Sequence, residues 1–205
     1  MMDSNFQLSE LETDLLAELF NIGVGKAADS LSRMVNQEVK LSVPSVEFKT
    51  ITDMSDYLGG DTEICSVSQE MRGSFDARSM LLFHEESSME VVRQLMGSHL
   101  PDEMVADMQE EALNEIGNIV LNACIGAIGW SLNQDFEVEL PVFQQGKPIN
   151  LLKPSMPSEN DSILLIRLHM ELKDCAVKGY LAFILGQTSQ ENMQSSLKIM
   201  LDKFD

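Results

Sequence analysis

Asp14, Glu18 and Asn21 fall at i, i+4 and i+7, so a helix through them would carry two carboxylates and a side-chain amide on one stripe of its surface. Glu111, Glu115 and Asn118 repeat the arrangement, and each Asn is followed after 22 intervening residues by a proline, Asn21 by Pro44 and Asn118 by Pro141. With Asn and Pro each at roughly 5% of positions, a given Glu has a chance on the order of one in 400 of showing both partners at these spacings. Two copies at a constant offset of 97 residues point to a duplicated unit.

A carboxylate can pair with a cation on a partner, while a neutral amide both donates to and accepts from a water. If the substrate is a phosphorylated carboxylate on another protein, its hydrolysis needs a water held in line with the phosphorus, and most of the available catalysis is positioning. Asn suits that task because, unlike Asp, it brings no negative charge towards the phosphoryl oxygens. Taken singly, Glu18 or Asn21 could equally belong to a solvated helix face. An interior Asn is a modest helix former, however, and its placement three residues after Glu, twice, favours a role.

The elements that must position these residues follow from periodicity. A first helix is expected from about Ser9 to Val35, with the Ser9 hydroxyl as its cap and Glu12 as the capping-box partner. Leu11, Leu15, Leu19, Ile22, Leu31 and Met34 supply an apolar stripe, and Gly23, Gly25, Ala27 and Ala28 are small enough for another backbone to come close. Alternation at Val39, Leu41 and Val43 predicts a half-buried strand, with Pro44 at an edge or bend. A loop through Asp53 to Asp61 leads to strands at Thr62 to Gln69 and Ser74 to Phe83, turning at Gly73, then a helix at Glu85 to Met96 and a connector to Asp102. The second half replays this order: a helix at about Val105 to Leu132, strands at Phe136 to Val142, Ser162 to Leu172 and Cys175 to Leu185, and a last helix at Ser189 to Phe204. About nine extra residues are assigned to the loop 144–161. The predicted fold class is α+β, a single internally duplicated pseudo-twofold domain of two repeats, about 9–97 and 104–205. Its long motif helices pack on a shared, mainly antiparallel sheet.

Composition narrows the function classes. The chain has 205 residues, enough for a substantial core, and is 44% hydrophobic and 23% charged, as folded proteins are. Its net charge of -19, with 14 basic residues against 33 acidic ones, excludes a phosphate-backbone reader and disfavours anionic membrane surfaces. The amino terminus lacks a basic and apolar leader, and the longest apolar run, Ile119 to Trp130, is too short to span a bilayer, so a cytoplasmic location without membrane insertion is expected. Cys65, Cys124 and Cys175 have no zinc-ligand or CxxC spacing and read as reduced, mostly buried thiols. His84, His99 and His169 are scattered, no P-loop, Gly-x-Ser-x-Gly or GxGxxG is present, and the acids from Asp102 to Glu111 read as enrichment at a helix start. Fourteen methionines suggest a compliant core and an adaptable binding surface.

The paired motif resembles that of the CheC, CheX and FliY phosphatases of chemotaxis: Asp or Ser, three residues, Glu, two residues, Asn, 22 residues, Pro. Asp14, Glu18, Asn21 and Pro44 match it throughout, and Glu115, Asn118 and Pro141 match in the second copy, where Glu111 replaces the usual Asp or Ser. The resemblance spans essentially the whole chain, and two motifs favour the two-site CheC type. It implies a phosphatase acting on the aspartyl phosphate of CheY or a similar response regulator. Glu18 and Glu115 would pair with the regulator's lysine, and Asn21 and Asn118 would orient the hydrolytic water. It implies no cofactor of the chain's own, the Mg2+ belonging to the regulator. Family members also bind the deamidase CheD, for which no residues are identified in this chain. The residues leave open a noncatalytic regulator-binding module related to the flagellar switch proteins, or a scaffold with the motifs incidental.

Overall fold

Ser9 and Glu12 form the expected capping box, the Ser9 Oγ accepting from the Glu12 N–H at 3.3 Å and Glu12 Oε2 accepting from the Ser9 N–H at 2.7 Å. In a computed structural model, which describes residues 6–96, 101–153, 162–172 and 175–203, these bonds open a helix α1 (Glu10–Val35). It is followed by β1 (Val39–Lys49), α2 (Ile51–Tyr57), β2 (Ile64–Gly73), β3 (Ala77–His84), α3 (Glu85–Met96) and α4 (Asp102–Leu132). Then come β4 (Phe136–Val138), β5 (Val142–Gly146), α5 (Pro148–Leu152), β6 (Ser162–Leu172), β7 (Cys175–Leu185) and α6 (Gln187–Leu201). Both motif helices stop on an asparagine in the left-handed conformation, Asn36 at φ 52° and Asn133 at φ 53°. Asparagine enters that region at low cost, and these two again stand 97 residues apart.

The strands form one antiparallel sheet in the order β1-β6-β7-β3-β2-β4, with β5 also on β2. The order reads the same from either edge if β1, β2 and β3 are exchanged for β4 with β5, β6 and β7. The first strand of each half therefore pairs with the second strand of the other. A larger core lies between one sheet face and the long helices, around Leu16, Phe20, Leu31, Ile116, Leu121 and Phe183. A smaller one on the opposite face joins Met54 of α2 and Leu58, which caps its end, to Leu151 and Leu152 of α5 and to Met80 and Leu165. Burial on both faces accounts for the nearly continuous apolar runs of β3, β6 and β7.

Several expectations need revision. The buried face of α1 runs through Leu16, Leu19, Phe20, Gly23, Val24, Ala27 and Leu31, leaving Leu11, Ile22 and Met34 exposed. The reason is a close helix crossing: a Cβ on Gly23 would sit 2.7 Å from the Cα of Cys124 on α4, so small residues, not the largest apolar ones, centre the interface. The expected strand Phe136 to Val142 is split into β4 and β5 around Pro141. Helices α2 and α5 occupy segments read as loops, being too short for a periodic signal. Gly73 ends β2 and leaves the turn to the residues after it. The connector 97–100 and positions 154–161 of the predicted insertion lie outside the described residues. An 18-residue window of α4 is long and apolar enough to cross a membrane; 56% of it is buried within the protein, as in a core helix.

Candidate active site: two amides beside matching bulges

Both edges of the sheet carry the same irregularity, and each motif proline stands in it. On one side Ser42 pairs with His169 and Ser45 with Arg167, so Val43 and Pro44 together face Leu168. On the other, Val138 pairs with Met71 and Val142 with Ser68, so residues 139–141 face Gln69 and Glu70. In each case one extra residue is inserted at the proline, which has no N–H to give to the ladder. The bulge frees backbone groups next to the helix that carries the asparagine.

At the first site Asn21 takes up such a group. Its Oδ1 accepts the Val43 N–H at 3.1 Å. Only an oxygen can accept that proton, which fixes the orientation of the amide and turns Nδ2 away from the strand. The 22-residue gap between Asn21 and Pro44 is thus the chain length from the amide, round the helix end, to the bulge it caps. Asn21 is half-buried, and its Nδ2, which has no partner among the described residues, is not among the buried unpartnered atoms and so reaches solvent. Glu18, one turn earlier, is exposed with no ion pair or hydrogen bond to a described residue, and Asp14 and Pro44 are exposed as well.

The second site reaches a similar arrangement by other means. Gln69 of β2, 3% exposed, donates from Nε2 to the Glu139 carbonyl at 3.2 Å and to Asn118 Oδ1 at 3.4 Å. The carbonyl requires a donor, so Gln69 Nε2 is fixed, and it in turn fixes the Asn118 oxygen. Asn122, one turn along α4, donates to the same oxygen at 2.7 Å. Asn118 is half-buried with its Nδ2 open, Glu115 and Glu111 are exposed and unpaired among the described residues, and Pro141 is half-buried between the exposed Leu140 and Val142.

The predicted residues are therefore grouped as two clusters, each made of a stripe on one motif helix and the proline of its matching bulge. Sequence reasoning missed the Val43 N–H, Gln69 and Asn122. Asn122 could have been found as the residue four after Asn118, whereas nothing in the spacing singles out Gln69. A groove of 610 Å3 runs on from Asn122 along α4 past Gly126 to Trp130, Gln134 and Phe136. Trp130 is exposed, and the Lys26 Nζ of α1 lies 5.8 Å from its ring centre.

Elsewhere the titratable groups offer less chemistry. Among the described residues no three His, Cys, Asp or Glu side chains gather closely enough to hold a metal ion, and Asp102 of the acidic cluster is tied to Arg93 at 2.7 Å. Cys65 and Cys124 are buried, and burial pushes the Cys124 thiol up to about 12, which leaves it inert as a nucleophile. At each motif cluster, an exposed carboxylate open to a cation stands one turn from an amide whose oxygen is anchored and whose N–H2 faces water.

The model of the CheC-like family matches residues 11–47, and that of the chemotaxis phosphatase CheX matches residues 65–163. The chain is 26% identical over 127 residues to the CheY-P phosphatase CheC of Bacillus subtilis, a match spanning 59% of this chain and 60% of that protein's length. It is 23% identical over 182 residues to the putative CheY-P phosphatase CheC1 of Halobacterium salinarum, covering 87% and 91%. The crystal structure of FliY from Thermotoga maritima superposes with a TM-score of 0.75 at 17% identity, covering 94% of this chain and 98% of that one, a likeness of fold.

Proposed function

We propose that this chain, which belongs to the CheC, CheX and FliY family of chemotaxis proteins, is a cytoplasmic phosphatase that hydrolyses the aspartyl phosphate of a CheY-like response regulator. It is read as one domain of two repeats, about 9–97 and 104–205, with one site on each. The observation that carries the proposal is the pairing, twice, of an exposed carboxylate, unpaired among the described residues, with a bulge-anchored amide one turn away. The names of the two relatives favour the same substrate.

In this reading Glu18 and Glu115 attract the cation that faces an acyl phosphate in the regulator, and Asn21 and Asn118 are thereby brought against the phosphorus. The amide then holds a water in line for attack. The P–O bond to the aspartyl carboxylate breaks, that carboxylate leaves as an anion, and the water's proton is lost to the phosphate product or to solvent. No group of the chain needs to become covalently attached. Positioning alone contributes several kcal/mol when a water is held at attack distance, and a neutral amide does so without repelling the phosphoryl oxygens. Magnesium, on this account, belongs to the regulator.

The test is the lifetime of the acyl phosphate on a purified CheY-like regulator with and without this protein. Acceleration that saturates with regulator concentration supports the phosphatase. A tight complex with an unaltered lifetime would instead identify a noncatalytic regulator-binding module.

A further inference from the structure

The two bulges differ in the residue that faces them. Opposite Val43 and Pro44 stands Leu168; at the matching position opposite the second bulge stands Gln69. An apolar side chain therefore suits this place in the fold. Gln69 is less comfortable there, because its Oε1 is buried without a hydrogen-bond partner among the described residues, an arrangement that costs stability. What Gln69 adds over a leucine is its N–H2, which holds the Glu139 carbonyl on the bulge and the Asn118 oxygen on the helix.

We infer that Gln69 is a positioning residue of the second site, a strand residue of the first half of the chain that sets the orientation of the Asn118 amide in the second. The inference rests on the phosphatase reading of that amide. Gln69 is not in a position to act on substrate, being buried beneath Asn118, and its influence runs through the direction in which Asn118 Nδ2 points. Asn21 needs no such residue, since the Val43 N–H orients it directly. The second site therefore depends on both halves of the chain, through one buried amide.

The experiment measures regulator dephosphorylation in the Asn21→Ala background, where the second site alone turns over, together with the side-chain amide NMR signals of Asn118. Gln69→Leu, which copies Leu168, should lower kcat about tenfold with KM within about twofold and should shift the Asn118 amide signals. Gln69→Glu should be impaired most at alkaline pH, where a carboxylate faces two acceptor oxygens. It should recover relative to the Asn21→Ala parent as acidification restores an O–H donor, a pH profile that a packing defect would not produce. Unmoved Asn118 signals, moved signals with unchanged kcat, or an Asn21→Ala parent with no turnover would each overturn the role assigned to Gln69. Failure of the underlying reading is distinguished by the Asn21→Ala/Asn118→Ala variant, whose full activity would remove both amides from the reaction whatever Gln69 does.

Discussion

Asn21 and Pro44 are joined through a single backbone group: the Asn21 oxygen accepts the N–H of Val43, the residue that precedes the proline in the bulge. The asparagine thus has a structural duty, capping a freed amide, and a second face left for chemistry. These can be separated, because an aspartate oxygen would accept the same N–H.

Asn21→Asp should therefore fold with stability within about 0.5 kcal/mol of the parent, while Asn21→Ala should lose about 1 kcal/mol by leaving Val43 unpaired. In an Asn118→Ala background, Asn21→Asp should nevertheless cut dephosphorylation roughly a hundredfold, since it replaces the open N–H2 with negative charge. Urea unfolding and phosphate release on the same variants check both halves. A stable and fully active Asn21→Asp would show that the open amide has no part in the reaction.

The two sites should also differ in strength. Asn21 Oδ1 accepts one bond and keeps a lone pair for a water hydrogen, whereas Asn118 Oδ1 accepts from both Gln69 and Asn122. Asn21→Ala should then cost more total turnover than Asn118→Ala. Within the Asn21→Ala background, Asn122→Ala should raise the remaining rate several-fold, because the exposed Asn122 takes the place on the Asn118 oxygen that a water would otherwise fill. A fall in rate on removing Asn122 would reverse this assignment.

Stability should show an acid-sensitive component at the start of α1. Burial alone would push the Glu12 carboxyl up, but the Ser9 N–H, the Gln194 amide, the Ser9 hydroxyl and the Lys198 ammonium together hold it below the usual 4.5. A group depressed in the folded state stabilises above its unfolded value and loses that contribution as pH falls through the folded one. Glu12→Gln should therefore cost about 1 kcal/mol at pH 7, and the gap should narrow below about pH 4. Urea midpoints of the two proteins at pH 7 and pH 3.5 measure it; an equal gap at both would contradict the linkage.

Much of this architecture was legible in the sequence. The capping box, the ends of α1, the strands β6 and β7 and the paired motifs follow from local patterns that survive folding. What was not legible arises between distant segments. Gln69 reaches Asn118 because α4 packs on β2, with Gly117 against Val67, and reaches the Glu139 carbonyl because β2 pairs with β4 and β5 across the halves of the chain. The close approach expected on α1 is met at Gly23, which lies against Cys124 of α4, and not at Gly25, which has nothing within 4 Å, whereas its apolar stripe was misread, since Leu11 and Ile22 face outward. The 22-residue spacing was visible as a number, and its cause, an amide capping the residue before a bulged proline, required the register of β1 against β6.

The central claim is that the two asparagine amides supply the hydrolytic step. Its most direct measurement is the rate of acyl-phosphate loss from a CheY-like regulator in the presence of saturating Asn21→Ala/Asn118→Ala protein, with regulator binding measured in parallel. The account predicts that binding persists through Glu18 and Glu115 while the rate drops to that of the regulator alone. A double variant that binds and still accelerates hydrolysis as the parent does would contradict it.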